Sequence, residues 1–128
     1  MQALDPFFGR RLLIESLAVL AADAQAQVDW LVRHGVMADE IALDFDHAFR
    51  VAEAMMAEGR LASGVMADLQ EIDVTFSRMS GGESADRWTR NALSTDDGWA
   101  LARRLARRVL LAELGEWRQP LPGITVVR

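Results

Sequence analysis

Residues 12–35 read LLIESLAVLAADAQAQVDWLVRHG. From Leu13, the positions Leu17, Leu20, Ala24, Val28 and Leu31 recur at steps of three and four, the spacing of one helical face. Gly35 ends the run, as a residue tolerant of left-handed backbone does at a helix C-terminus. The spacing predicts one continuous helix, the longest element of the chain. Its first half, Leu12 to Ala22, is apolar on nearly every side, which suits the centre of a helical bundle or a subunit interface. A homodimer through residues 12–22 is the expectation that follows from the second of these. Arg10 and Arg11 before the run and Ala24-Gln25-Ala26 after it imitate a secretory signal. Glu15 interrupts the run, however, Asp5 and Asp23 flank it, and its eleven residues are too few to span a bilayer. No membrane is expected, and the expected location is cytoplasmic.

Outward from this stretch, punctuation divides the chain into further helices. Asp5 followed by Pro6 opens the first, because proline at the first helical position gives up no internal hydrogen bond. Asp44 or Asp46 caps a second helix whose stripe is Phe45, Phe49, Ala52 and Met56, ending at Gly59, with Asp46, His47, Arg50 and Glu53 on the solvated face. Ile41, Leu43 and Phe45 are expected to turn inward. A third helix starts near Ser63, carries Leu69, Ile72, Phe76 and Met79, and stops at Gly81-Gly82. Ser84 caps a short fourth that buries Ala85, Trp88 and Ala92. Thr95, helped by Asp96 and Asp97, caps a fifth running through Trp99, Ala102, Leu105, Ala106, Val109 and Leu110 to Gly115. Pro120, Pro122 and Gly123 then forbid helix, so residues 119–128 read as an extended tail ending in Ile124 to Val127. The fold class is all-α: a single domain over 1–128, a bundle of four to six helices with an extended C-terminal tail.

Charge is distributed unevenly. Residues 15–73 carry twelve acidic side chains against three arginines, whereas residues 101–128 carry six arginines against Glu113 and Glu116, in a chain of net charge −5. There is no cysteine and no lysine, which excludes disulfides, thiolate zinc sites, thiol nucleophiles, Schiff-base lysines and the phosphate-loop lysine. No GxSxG elbow, HExxH pair or EF-hand loop is present, so the sequence offers no catalytic residue, no metal site and no cofactor. Met55, Met56, Met66 and Met79 read as adaptable core fillers. His34 lies in the last turn before Gly35, where a protonated ring would suit the helix dipole.

Three groups of residues invite a functional reading. Arg103, Arg104, Arg107 and Arg108 fall within about 140° of one helix surface, a basic stripe of the kind that grips phosphates. The acidic balance of the chain weighs against nucleic acid, and pairing with the acidic helices explains the stripe equally well. Leu111 and Leu114 share its sector, which implies that the far end of this face is covered by protein. Asp39, Glu40, Asp44, Asp46 and His47 crowd one segment and, with Glu53, Asp68 and Asp73, make an acidic surface; a small metal-dependent hydrolase would instead draw on Asp44, Asp46 and His47. Trp117, between Gly115 and Pro120, is a candidate for partner contact.

The series Gln27-x-x-Trp30, Asp39-Glu40-Ile41-Ala42-Leu43-Asp44, Met79-Ser80-Gly81, Trp88-Thr89, Ala92-Leu93, Trp99 and Arg103 resembles small helical bacterial proteins of uncharacterised or toxin-immunity type, over residues 27–108. The resemblance implies a non-enzymatic binder that covers its partner with a charged surface. The expected function is accordingly a protein-interaction module engaging a basic partner through the acidic surface. A nucleic-acid-binding regulator using the arginine stripe, or the small hydrolase, is the alternative.

Overall fold

A computed structural model describes residues 8–81 and 85–123. Among them are six α-helices, one 3-10 turn and no strand, which makes the chain all-α. The helices are α1 (Phe8–Ala21), α2 (Ala24–His34), α3 (Asp39–Ala57), α4 (Ser63–Met79), α5 (Ala92–Thr95) and α6 (Asp97–Leu114), with the 3-10 turn at Ala85–Trp88. The expected opening at Asp5 and Pro6, the cap at Ser84 and the extended segment Ile124 to Val127 lie outside the described residues. No helix is long and apolar enough to cross a membrane among the described residues.

Four helices form a closed ring in which α1 packs on α3, α3 on α4, α4 on α6, and α6 back on α1. Every neighbour in the ring is antiparallel. Arg10 at the start of α1 pairs with Glu113 at the end of α6 at 2.6 Å, while Arg107 and Arg103 reach the carbonyls that close α1. Asp68 early in α4 meets Arg108 late in α6, and Phe45 early in α3 meets Phe76 late in α4. α1 and α3 run so close at Gly9 that a Cβ there would stand 2.7 Å from Val51 Cγ1. α2 lies against α5 at the end of the bundle where α1 stops and α6 begins.

The ring is filled by stripes that the periodicity places correctly: Leu13, Leu17 and Leu20 of α1, Ile41, Phe45 and Ala52 of α3, Leu69, Ile72 and Met79 of α4, and Trp99, Ala102, Ala106 and Leu110 of α6 are all buried. Phe45, Phe76, Trp88 and Trp99 form a chain of ring contacts with centroids 5.2 to 5.9 Å apart. The two indoles in it each donate to a carbonyl, Trp88 Nε1 to Met79 (3.1 Å) and Trp99 Nε1 to Arg87 (2.7 Å), so buried Trp99 and partly buried Trp88 leave no unpaired indole N–H. These bonds tie the 3-10 turn to the end of α4 and the start of α6.

Several local expectations are corrected. The long helix is two helices, since α1 ends at Ala21 and α2 begins at Ala24. α3 starts at Asp39, a full turn before the expected cap at Asp44 or Asp46, with Asp39 and Glu40 in its first turn where their charge suits the helix dipole. In its stripe Met55 is buried and Met56 only partly so. The expected fourth helix is a 3-10 turn followed by one turn of α5, and Ala85 is exposed. α6 is capped by Asp96 and not Thr95: the Asp96 carboxylate accepts from Gly98 N at 2.7 Å, held in place by Arg87 at 2.8 and 3.2 Å. The Arg87 hydrogen bond keeps the Asp96 carboxyl below its ordinary range. Gly35 and Gly115 close α2 and α6 in the left-handed region (φ 64° and 75°), as their glycines required.

The break between α1 and α2 shows why the continuous reading fails. A helix end leaves its last four carbonyls without intrahelical donors. Here side chains supply them: Gln27 Nε2 donates to Val19 O (3.1 Å) and Leu20 O (2.9 Å), Arg107 Nε to Ala21 O (2.8 Å), and Arg103 Nε to Ala22 O (3.1 Å). Gln27 is fully buried and returns its own Oε1 to Arg103 at 2.9 Å. Arg103 also donates to Leu93 O at 2.6 Å, which joins the break to α5.

Candidate binding site

α3 divides the surface into two concavities. On its α4 side, a groove of about 800 Å³ is bounded by α3, α4 and the 3-10 turn. Asp39, Ala42 and Asp46 lie at helical spacing along the α3 wall; Asp73, Phe76, Ser77 and Ser80 do the same along α4. The base is apolar, formed by Ala42, Phe45, Phe76 and Trp88, and Met37 and Leu43 stand at the edges 72% and 60% exposed. Leu43 therefore corrects the expectation that it turns inward with Ile41 and Phe45. Asp39 on the α3 wall and Asp73 on the α4 wall both line this groove, and neither is engaged in an ion pair among the described residues. Asp46 shares its charge with exposed Arg50 one turn on, at 3.3 Å. No arginine or histidine lines the groove among the described residues.

The remaining acidic candidates are dispersed. Asp68 is largely buried and pairs with Arg108 at 3.2 Å. Glu53 borders a shallow depression with Met56 and Met66 far along α3. Glu40 lies beside Asp44, on the α1 side of the helix. The structure thus brings Asp39, Asp46 and Asp73 together and leaves Glu40, Asp44, Glu53 and Asp68 outside the groove. Asp44 and His47 line one concavity and Asp46 the other, and among the described residues no three His, Asp or Glu side chains converge as metal ligands would.

The arginine stripe is mostly internal bracing. Arg103 and Arg107 cap the α1 carbonyls, Arg107 also pairs with Asp23 at 2.9 Å, and Arg108 pairs with Asp68. Of the four, Arg104 alone makes no ion pair or hydrogen bond among the described residues, and it is exposed. Burial lowers the Arg103 pKa from its ordinary value, with Arg107 adding to the effect. Leu111 and Leu114 are 49% and 38% exposed in the single chain. Trp117 is partly buried, with the Arg107 guanidinium 3.8 Å and the Arg118 guanidinium 4.7 Å from its ring centre. The apolar run 12–22 is largely consumed inside the chain, since Leu13, Leu17, Ala18, Val19, Leu20 and Ala21 are all buried there.

On the other side of α3, a cleft of about 350 Å³ opens toward α1 and the C-terminal segment. Glu15, Ser16, Asp44 and His47 are its polar lining. Partial burial, reinforced by the charge of Glu40 and opposed by His47, pushes the Asp44 carboxyl up from 3.8 to about 6. Between those values the folded chain holds a proton that the unfolded chain has released, so this residue makes stability fall as pH rises through that window. Asp44→Asn should be more stable than the parent near pH 8 and indistinguishable from it near pH 3. The side chain is exposed at the cleft mouth, so solvent screening holds the gain below about 1 kcal/mol. Urea denaturation across that pH range measures it; a variant less stable at every pH would show that the Asp44 carboxylate is favourably placed.

Fold and groove together define a small all-helical protein with an acid-rimmed apolar channel on one face. Comparison with protein-family models, curated proteins and solved structures finds no match.

Proposed function

We propose that this chain is a non-enzymatic interaction module that seats a basic amphipathic helix of a partner protein in the groove between α3 and α4. The carrying observation is the pair Asp39 and Asp73, unpaired carboxylates on opposite walls of a base made by Ala42, Phe76 and Trp88. An apolar base takes the hydrophobic stripe of a helix, and carboxylates on both edges take the basic residues that flank such a stripe. The acidic balance of residues 15–73 steers such a partner toward this face. This is the chemistry of an immunity-type inhibitor that covers a basic protein, the type that the sequence series resembles.

The test is fluorescence anisotropy of a labelled amphipathic helical peptide with arginines flanking a Leu stripe, against the same peptide with the arginines replaced by glutamine. The arginine peptide should bind saturably and weaken at least tenfold between about 50 mM and about 500 mM salt. Equal binding of the two peptides, or affinity indifferent to salt, would defeat the charge complementarity on which this reading stands.

A further inference from the structure

The cleft between α1 and α3 is unused by the groove reading, and its chemistry differs. Its walls come from three parts of the chain: Glu15 and Ser16 from α1, Asp44 and His47 from α3, and Pro122 and Gly123 from the C-terminal segment. That third wall is fastened from within, because Trp30 Nε1 donates to Pro122 O at 2.9 Å. Leu12, Val19, Trp30 and Ile41 give the cleft an apolar interior. Its volume falls within the range of small-molecule sites.

Ser16 supplies the decisive oddity. It is only 8% exposed, and its hydroxyl is the one buried side-chain polar atom without a hydrogen-bond partner among the described residues. A buried hydroxyl in that condition lacks about 1–3 kcal/mol of compensation. Ser16 lines the same cleft as two carboxylates that no described cation pairs with, Glu15 and Asp44. The lining therefore offers acceptors on two sides of an apolar interior, with His47 beside Asp44 as its one basic side chain and no arginine.

The geometry points to a second, small-molecule site in this cleft that takes an organic ammonium, its charged head toward Glu15 and Asp44 and its hydrocarbon body against Val19 and Trp30. An ammonium carries three N–H donors, enough to serve both carboxylates and the Ser16 oxygen together. A purely apolar ligand would strip water from those groups without replacing its hydrogen bonds. An anion would face two like charges.

The probe is 2-phenylethylammonium chloride, titrated into the full chain with the Trp30 indole N–H followed by nitrogen–proton NMR; the indoles of Trp88 and Trp99, which do not line this cleft, are the internal reference. The expected result is a saturable shift of the Trp30 signal that weakens at least tenfold in Asp44→Asn and in Glu15→Gln, with 2-phenylethanol giving none. Ser16→Ala, which removes an unpaired hydroxyl from a buried site, should fold at least as well as the parent and bind the ammonium more weakly. No saturable shift, an equal response to the alcohol, or an Asp44→Asn protein that binds as tightly as the parent would overturn the assignment. Asp39→Arg and Asp73→Arg, which act on the groove, should leave this titration unchanged, so the two sites stand or fall separately.

Discussion

Arg103→Ala should lower the stability of the fold by about 3 kcal/mol, the largest effect expected of any surface-reaching side chain in the protein. Three acceptors lose a donor together: the carbonyls of Ala22 and Leu93 and the Oε1 of fully buried Gln27. Each is worth about 1–3 kcal/mol when buried and left unpaired, and water reaching the partly exposed guanidinium site recovers some of that. In a chain of 128 residues the net loss corresponds to a melting temperature lower by about 10 °C. Arg104→Ala, one position along, should stay within about 0.5 kcal/mol of the parent, because that side chain is exposed and makes no ion pair or hydrogen bond among the described residues. Arg103→Lys should not rescue, since one ammonium on a flexible stem does not reproduce the planar fork that spans α1, α2 and α5. Urea denaturation of the three variants decides. Equal stability of Arg103→Ala and Arg104→Ala would mean that the α1–α2 break holds without this brace, and the stripe would again be free for phosphate.

Much of the bundle is legible in the sequence because burial follows period. Leu13, Leu17 and Leu20, or Trp99, Ala102, Ala106 and Leu110, announce their faces by spacing alone, and Gly35 and Gly115 end helices for a local steric reason. The break at Ala22 and Asp23 leaves almost no trace, because apolar spacing continues through it and its hydrogen bonds come from Arg103 and Arg107, some eighty residues away. The one available signal is Gln27, a fully buried amide that needs partners a straight helix would not provide. Similarly, Thr95 and Asp96 are both competent caps, and the choice falls to Asp96 because Arg87 fixes its carboxylate, a tertiary fact.

The groove was half-legible. Taking α3 to begin at Asp44 or Asp46 hides the face Asp39, Ala42, Asp46, whose members sit three and seven residues apart. Started at Asp39, where the helix does begin, that face lines up, and Asp73, Phe76, Ser77, Ser80 of α4 has the same spacing. What no spacing reveals is that the antiparallel packing of α3 on α4 sets these two faces opposite each other. The acidic surface that composition suggests is consequently narrower than its residue count: Asp68 is tied to Arg108, and Asp44 belongs to the other side of the helix.

That narrowing makes the groove prediction sharp. The double variant Asp39→Arg, Asp73→Arg should weaken the arginine-flanked peptide by about 2 kcal/mol, roughly 30-fold, and should reverse the sign of the salt dependence. Neutralising one exposed charge removes up to about 1 kcal/mol, and reversal adds like-charge repulsion on top of that loss. Both side chains lie outside ion pairs, so the fold has little to lose; only the favourable placement of Asp39 at the start of α3 is given up, about 0.5 kcal/mol. Glu53→Arg, on the same helix but away from the groove, is the matched control, and it should weaken binding no more than about twofold. If Glu53→Arg weakens the peptide as strongly as the groove pair, attraction is a property of the whole acidic half and the groove selects nothing. If the double variant fails while Glu53→Arg is silent, the two carboxylates across the Phe76 and Trp88 base are where the partner is held.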